Sequence, residues 1–380
     1  MLKHIILLFW LLPGFMLHGA EITPKSLNQT LGIPLFANQD TWSKKALEKR
    51  LKIRFTGNAK RYSAKFSRMI AGARPVELEV HTAEDEDTIS MIIVTFANQG
   101  DTVNKHKSVI KNSGRTITAV MTRGCGKKRH GKLSDGTFRV TGDMWQTRYA
   151  NFLLEVDKGD FVMFYITPSG GLKEAADHRD KDFSKNVKRN KFGDVFIPTV
   201  PMVDQGSKGY CVPATMTRIF LYFGIHTDMH HVAKLSDTDR DKGTSVNTML
   251  KEINQLRKKN HLKIKRFSEV SVKNVSRHID NGLPVVWLMY STGDLQAVYK
   301  FSTLNRGKAS SPEQWKRTLK KVSVSNSTDG SHALLIIGYN KQTDEIAVSN
   351  SWGQAHIAPL WIPMKVAKKV SQKYLFVFEP

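Results

Sequence analysis

The stretch Asp204-Gln205-Gly206-Ser207-Lys208-Gly209-Tyr210-Cys211-Val212-Pro213-Ala214-Thr215-Met216-Thr217-Arg218-Ile219-Phe220-Leu221-Tyr222-Phe223-Gly224 decides how this chain is read. A glycine-rich loop delivers one cysteine, Cys211, to the predicted first turn of an amphipathic helix. Val212, Met216, Ile219, Phe220 and Phe223 recur at three- and four-residue spacing, so one face can be buried while the helix start stays at a surface. Pro213 stands where a missing N–H costs little, and Gly224 is a natural stop. The unpaired N–H groups and the macrodipole of a helix N-terminus favour a thiolate over a thiol, and the thiolate is the nucleophilic form. Cys211 is therefore a candidate nucleophile, and a base must be sought elsewhere.

The base candidate is His332. Ser331-His332-Ala333-Leu334-Leu335-Ile336-Ile337-Gly338-Tyr339 places a histidine at the start of an apolar strand. Asn340-Lys341-Gln342-Thr343-Asp344 reads as the turn, and Glu345-Ile346-Ala347-Val348-Ser349-Asn350-Ser351-Trp352-Gly353 as the returning strand. In such a hairpin the start of the first strand lies beside the end of the second, which predicts that His332 and Asn350 are neighbours. A side-chain amide oxygen that accepts from the imidazole fixes both its tautomer and its orientation. A lone cysteine or histidine is ordinarily an inert core or strand residue. It is the combination of cysteine, histidine, amide and glutamine at fold-compatible positions that carries the catalytic reading.

Gln205 ahead of Cys211, a distant Gly-Ser-His leading an apolar strand to Gly-Tyr, and then Asn-Ser-Trp-Gly together resemble papain-like cysteine peptidases. Two predicted helices and Gly243-Thr244-Ser245 between cysteine and histidine look more like the bacterial branch that contains the bacteriocin-processing peptidases acting on double-glycine leaders. The resemblance covers about residues 195–380. It implies an α+β fold, with a helical lobe and an antiparallel-sheet lobe. It implies that Cys211 is the nucleophile, paired as thiolate with the imidazolium of His332, its general base and later acid. Asn350 would orient His332, Trp352 would shield that contact, and Gln205 with the Cys211 N–H would form the oxyanion hole. Lys208, Gly209 and Tyr210 stand where papain has Cys-Gly-Ser before its nucleophile, and Asn350 stands where the processing branch more often has aspartate.

At 380 residues the chain exceeds what one core usually holds, so two domains are expected. Lys3 and His4 followed by the apolar run Ile5 to Leu17 fit a secretory signal peptide over residues 1–20, too short for a comfortable membrane span. This predicts an exported protein, periplasmic or extracellular, with no transmembrane domain beyond that segment. The net charge of +24 and isoelectric point near 9.9 favour association with anionic surfaces. For an exported protein those are envelope polymers or acidic proteins; no aromatic-rich motif accompanies the basic residues, so nucleic acid is not expected. Cys125 and Cys211 are the two cysteines. A disulfide between them would consume the nucleophile, but disulfide-stapled secreted folds are short and cysteine-dense. The basic neighbours of Cys125 would make it a second reactive thiol if exposed.

Residues 21–168 read as a separate α+β domain of unknown role, in which nothing is catalytic. A helical stretch is expected near Trp42 to Leu51 and another over 103–121, interrupted near Asn112-Ser113-Gly114. Val76 to His81 alternates apolar and polar, and Ile89 to Phe96 is a buried-strand run across an acidic turn at Glu84 to Asp87 that fits no calcium-loop spacing. Phe152 to Val156 and Phe161 to Ile166 form a hairpin. Residues 169–191 are dense in charge and read as a linker. The second domain, 192–380, adds helices at 228–235, 244–258 and 272–281, strands at 262–267 and 284–290, and a polar insertion at 295–322 with one helical piece. His230-His231 lack partner ligands at metal spacing and read as surface groups, so no metal or cofactor is expected. The whole predicts a secreted cysteine peptidase that hydrolyses a protein or peptide substrate through an acyl-enzyme. A peptidoglycan amidase or acyl transferase on the same site, or an inactive binding protein of the same fold, are the alternatives.

Overall fold

The computed structural model describes the chain apart from residues 1–20, 59, 99–105, 136–138, 158–159, 173–180, 207–208, 236–237, 239–242, 327, 329 and 354–357. The expected signal segment lies outside the described residues.

The N-terminal half contains α1 (Pro24–Leu31), α2 (Lys44–Leu51), β1 (Thr56–Asn58), β2 (Arg61–Lys65), β3 (Glu77–Thr82) and β4 (Ile89–Asn98). It continues with α3 (His106–Cys125), β5 (Arg129–Ser134), β6 (Arg139–Gln146), β7 (Ala150–Asp157) and β8 (Phe161–Pro168). These strands form one antiparallel sheet in the order β1-β2-β3-β4-β8-β7-β6-β5. Alternation splits it into two faces. Leu78, Val80, Ile92, Val94, Phe152, Phe164 and their neighbours pack under the helices, against Leu27, Leu47, Ile110 and Ile117. Met91, Ile93, Leu153, Phe161, Met163 and Tyr165 form a second buried cluster on the other face.

The sequence reading needs three corrections in this half. Helix α3 runs unbroken through Asn112-Ser113-Gly114. A Cβ at Gly114 would lie 2.9 Å from Val156 Cγ2, so this glycine serves close packing on β7 and does not break the helix. The weakly patterned stretch 21–70 holds a capped helix, α1, whose Thr23 and Ser26 cap each other, and two short strands. Strands β5 and β6 were not expected at all; both are largely polar with few buried positions, and β5 forms the edge of the sheet. The acidic turn, in contrast, is an exposed hairpin connection as read, and no metal-holding cluster occurs among the described residues.

The C-terminal half starts before Phe192. Phe183, in a short 3-10 turn, packs against Tyr222 and Phe223, and β9 (Lys188–Arg189) pairs with β10 (Asp194–Phe196). The charged linker therefore becomes part of this half from Phe183 onward. There follow α4 (Cys211–Tyr222), α5 (Met229–Leu235), α6 (Val246–Glu252), α7 (Asn254–Lys259), β11 (Lys263–Phe267), α8 (Val272–Ile279) and β12 (Val285–Tyr290). The supposed polar insertion contains two helices, α9 (Gly293–Asn305) and α10 (Pro312–Leu319), each with a serine or threonine cap. β13 (Ser331–Asn340), β14 (Glu345–Ser349), β15 (Leu360–Pro363), α11 (Met364–Val370) and β16 (Ser371–Glu379) complete the chain. The second sheet runs β11-β16-β12-β13-β10-β9, with β14 also on β13 and β15 on β14. Its core joins α4 to the central strands through Met216, Ile219, Phe220, Trp287, Leu335 and Phe376. A mixed helix and antiparallel-sheet architecture is what the sequence predicted.

Candidate active site

Cys211 is the first residue of α4, preceded by Tyr210, which makes no side-chain cap. The first-turn N–H groups are thus left to other acceptors, the thiol among them. Helix α4 lies on β13, where Thr215 Oγ1 donates to the Ala333 carbonyl at 3.2 Å. One turn earlier the Cys211 thiol sits beside the Ala333 N–H, the residue after His332. Both cysteines are free, and Cys211 is half-buried. At the far end α4 closes on Gly224, whose φ is +79°.

His332 starts β13 and is 8% exposed; Asn350 follows the last residue of β14 and is 0% exposed. Asn350 Oδ1 lies 2.6 Å from His332 Nε2 and also accepts the Ser351 N–H at 3.0 Å. The second bond identifies that atom as the carbonyl oxygen, so Nε2 must carry the proton and Nδ1 is the free acceptor of a neutral ring. Trp352 stacks on the imidazole, with centroids 5.9 Å apart and planes at 27°. The predicted neighbours are brought together, by the hairpin that was expected.

Gln205 reaches the same place from another element. Its N–H donates to the Ser351 carbonyl at 2.9 Å, which ties the loop before Cys211 to the segment that carries Asn350. Asp204 closes against that segment too. Gly353 has φ +85°, and a Cβ there would stand 2.6 Å from Asp204 Oδ2. The last glycine of Asn-Ser-Trp-Gly is needed for both its backbone conformation and this approach.

Electrostatically, burial is the largest influence on both Cys211 and His332. Burial pushes the Cys211 thiol up, partly offset by the N–H groups of Ala333, Val212 and Cys211. Burial pushes His332 down, partly offset by its bond to Asn350. For each group, burial thus works against its charged form. Cys125 is half-buried, and burial raises its thiol to about 11, so its basic neighbours do not make it a reactive thiol. A concavity of 1140 Å³ along α3, with Lys111, Arg115 and Val156 on its walls, has neither cysteine nor histidine among its described lining residues. A groove of 630 Å³ beside Trp352, with Tyr299, Leu304, Arg306 and Trp361 on its walls, adjoins the candidate site.

Sequence reasoning overlooked Arg218. It is fully buried on α4, two turns after Cys211 and so on the same face. Its Nε donates to the Pro201 carbonyl at 2.7 Å, Nη1 to the Ser349 carbonyl at 3.1 Å, and Nη2 to Ser349 Oγ at 2.5 Å. One guanidinium thus ties the helix of Cys211 to the loop before Gln205 and to the residue before Asn350. The signal was available: Arg218 is the one charged residue in an otherwise uncharged amphipathic helix. His230 and His231 also depart from expectation. Both are buried or nearly so, packed on Phe161 of the N-terminal sheet, with His231 Nε2 3.0 Å from Glu155 Oε1.

The C-terminal half is similar to known proteins. Residues 197–374 match the family model described as Peptidase_C39 like family. A solved C39-like peptidase from Bacillus anthracis is similar over 49% of this chain and 98% of its own, at 12% identity and a TM-score of 0.32. Xylellain, a cysteine protease from Xylella fastidiosa, is similar over 53% of this chain and 89% of its own, at 14% identity and a TM-score of 0.34. No curated protein matches the chain. The matched residues span Cys211, His332 and Asn350, and the C-terminal half of this chain is a cysteine-type peptidase domain of papain-like α+β fold.

Proposed function

We propose that the peptidase acts through Cys211, His332, Asn350 and Gln205, on protein or peptide substrates met outside the cytoplasm. The observation that carries this reading is the junction at β13: the Cys211 thiol beside the Ala333 N–H, and the adjacent His332 held by Asn350 with Nδ1 left as acceptor. In the reaction the thiol proton passes to His332 Nδ1 as sulfur attacks the scissile carbonyl carbon. The tetrahedral oxyanion is stabilised by the Cys211 N–H and the Gln205 side chain. As the C–N bond breaks, His332 returns the proton to the leaving amine, which leaves a thioester. Water then adds, its proton is taken by His332, and the acid product leaves as the thiol is restored.

Export is supported by the signal-like pattern of residues 1–20, and docking on anionic envelope polymers by the charge of +24. The test uses the purified full chain. Cys211→Ala is expected to abolish hydrolysis of an unfolded protein substrate with its unfolding midpoint unchanged. Iodoacetamide at about pH 7, below the ordinary thiol value of about 8.5, is expected to modify Cys211 and spare Cys125, and to lose that selectivity in His332→Ala. Equal turnover by Cys211→Ala and the unmutated protein refutes the mechanism.

A further inference from the structure

The face of the N-terminal sheet turned away from its own helices meets the peptidase half. Asp135 Oδ2 lies 2.5 Å from His226 Nδ1, Lys234 pairs with Asp157, and Phe161 packs on His230 and His231. At the β2–β3 side of this interface the side chains are charged and buried. The register pairs Arg61 with His81 and Ser63 with Glu79, which places Arg61, Glu79 and His81 on one face. Glu79 bonds both Arg61 and His81. All three are under 10% exposed.

Arg61 does one more thing: its Nη1 donates to the carbonyl of Met202. The adjacent carbonyl, Pro201, is the one that Arg218 holds. Two buried guanidiniums from different halves of the protein thus grip consecutive carbonyls of the loop that ends in Gln205, while the Ser351 carbonyl takes the Gln205 N–H. Replacing a buried ion pair by apolar residues is often neutral or stabilising, so stability alone does not account for this one. Its geometry selects one position for one carbonyl.

We infer that Arg61, held by Glu79, is a positioning residue of the peptidase: the N-terminal sheet sets the Met202–Gln205 loop so that Gln205 can serve the oxyanion. The N-terminal domain is then a standing part of the catalyst, and its removal would not release activity. This rests on the proposed role of Gln205.

A double-mutant cycle on the full chain tests it, with kcat and KM on a peptide substrate and Cys211 alkylation by iodoacetamide as readouts. Loss of an oxyanion-hole donor costs about 10²–10³ in kcat, which is expected for Gln205→Ala. Arg61→Met is expected to lose about 10-fold or more in kcat with KM little changed, and Arg61→Lys to recover part of it. Because Arg61 acts through Gln205, the Arg61→Met, Gln205→Ala double variant is expected to be no slower than Gln205→Ala alone. Alkylation, which forms no oxyanion, is expected to keep its rate in Arg61→Met, and Lys234→Ala, at the same interface but away from the loop, to keep its kcat. Additive losses in the cycle, or equal losses in Arg61→Met and Lys234→Ala, reduce Arg61 to a general docking contact and overturn the inference. An unchanged kcat in Arg61→Met beside a slow Gln205→Ala overturns it alone. An unchanged Gln205→Ala removes the reading beneath it as well.

Discussion

Replacing Asn350 by alanine separates orientation of the base from the base itself. The change removes the oxygen that accepts from His332 Nε2 at 2.6 Å and from the Ser351 N–H at 3.0 Å. Trp352 still lies on the ring at 5.9 Å, so His332 keeps one restraint and its chemistry. The cost in rate is one hydrogen bond, about 0.5–1.5 kcal/mol, plus a similar amount for the rotamer and tautomer freedom the ring regains. Together that is about 1–3 kcal/mol, or about 5- to 150-fold in kcat. Under the proposed mechanism His332→Ala removes general-base catalysis and is expected to cost about 10²–10⁴. A fluorogenic peptide assay with active-site titration of Cys211 measures both. Asn350→Asp adds a direction. The Asn350 Nδ2 has no hydrogen-bond partner among the described residues, so the carboxylate sacrifices no donor bond. Its charge favours the imidazolium and moves the acid limb of the pH–kcat/KM profile upward by about 1–3 units. The reasoning is refuted if Asn350→Ala keeps its rate within about twofold, if it falls as far as His332→Ala, or if the acid limb of Asn350→Asp does not move.

Two further outcomes follow from the packing around the site. Gly353→Ala is expected to lower kcat more than it lowers stability, because a left-handed φ costs an alanine about 1–2 kcal/mol while the new Cβ pushes on Asp204 in the Gln205 loop. Urea unfolding beside kcat checks this, and a variant that loses stability with kcat intact contradicts it. At the interface, burial works against a charged His231, but its bonds to Asp228 and Glu155 outweigh burial and raise it to about 9. A raised folded value means that the stabilisation is complete below the unfolded value of about 6.5 and is lost as pH rises through about 9. Unfolding free energy is therefore expected to decline between about pH 7 and 9.5, by an amount on the order of 3 kcal/mol, and His231→Gln to flatten that slope. An unchanged slope in His231→Gln removes His231 as its source.

The sequence by itself determined the order of the site: a cysteine at a helix start, a histidine at a strand start, and an amide at the end of the returning strand. It could do so because a tight hairpin obliges His332 and Asn350 to meet whatever surrounds them, and because α4 must bury its apolar face. It also determined the class of fold, since both halves alternate helical and strand periodicities in readable lengths. Periodicity says which residues share a face, and nothing about what covers that face. Val76 to His81 read only as an alternation of apolar and polar residues, and the tertiary structure buries the polar Glu79 and His81 against the peptidase half, where Arg61 reaches Met202. The same holds for His230-His231, which stand on Phe161, and for Phe183, drawn from a charged stretch into the second core. The electrostatic setting of Cys211 and His332 was likewise decided in three dimensions. A helix N-terminus favours the thiolate, but Cys211 and His332 are both desolvated, and burial outweighs the backbone N–H groups at Cys211 and the bond to Asn350 at His332. Burial is a property of contacts between distant segments, and a local pattern does not contain it.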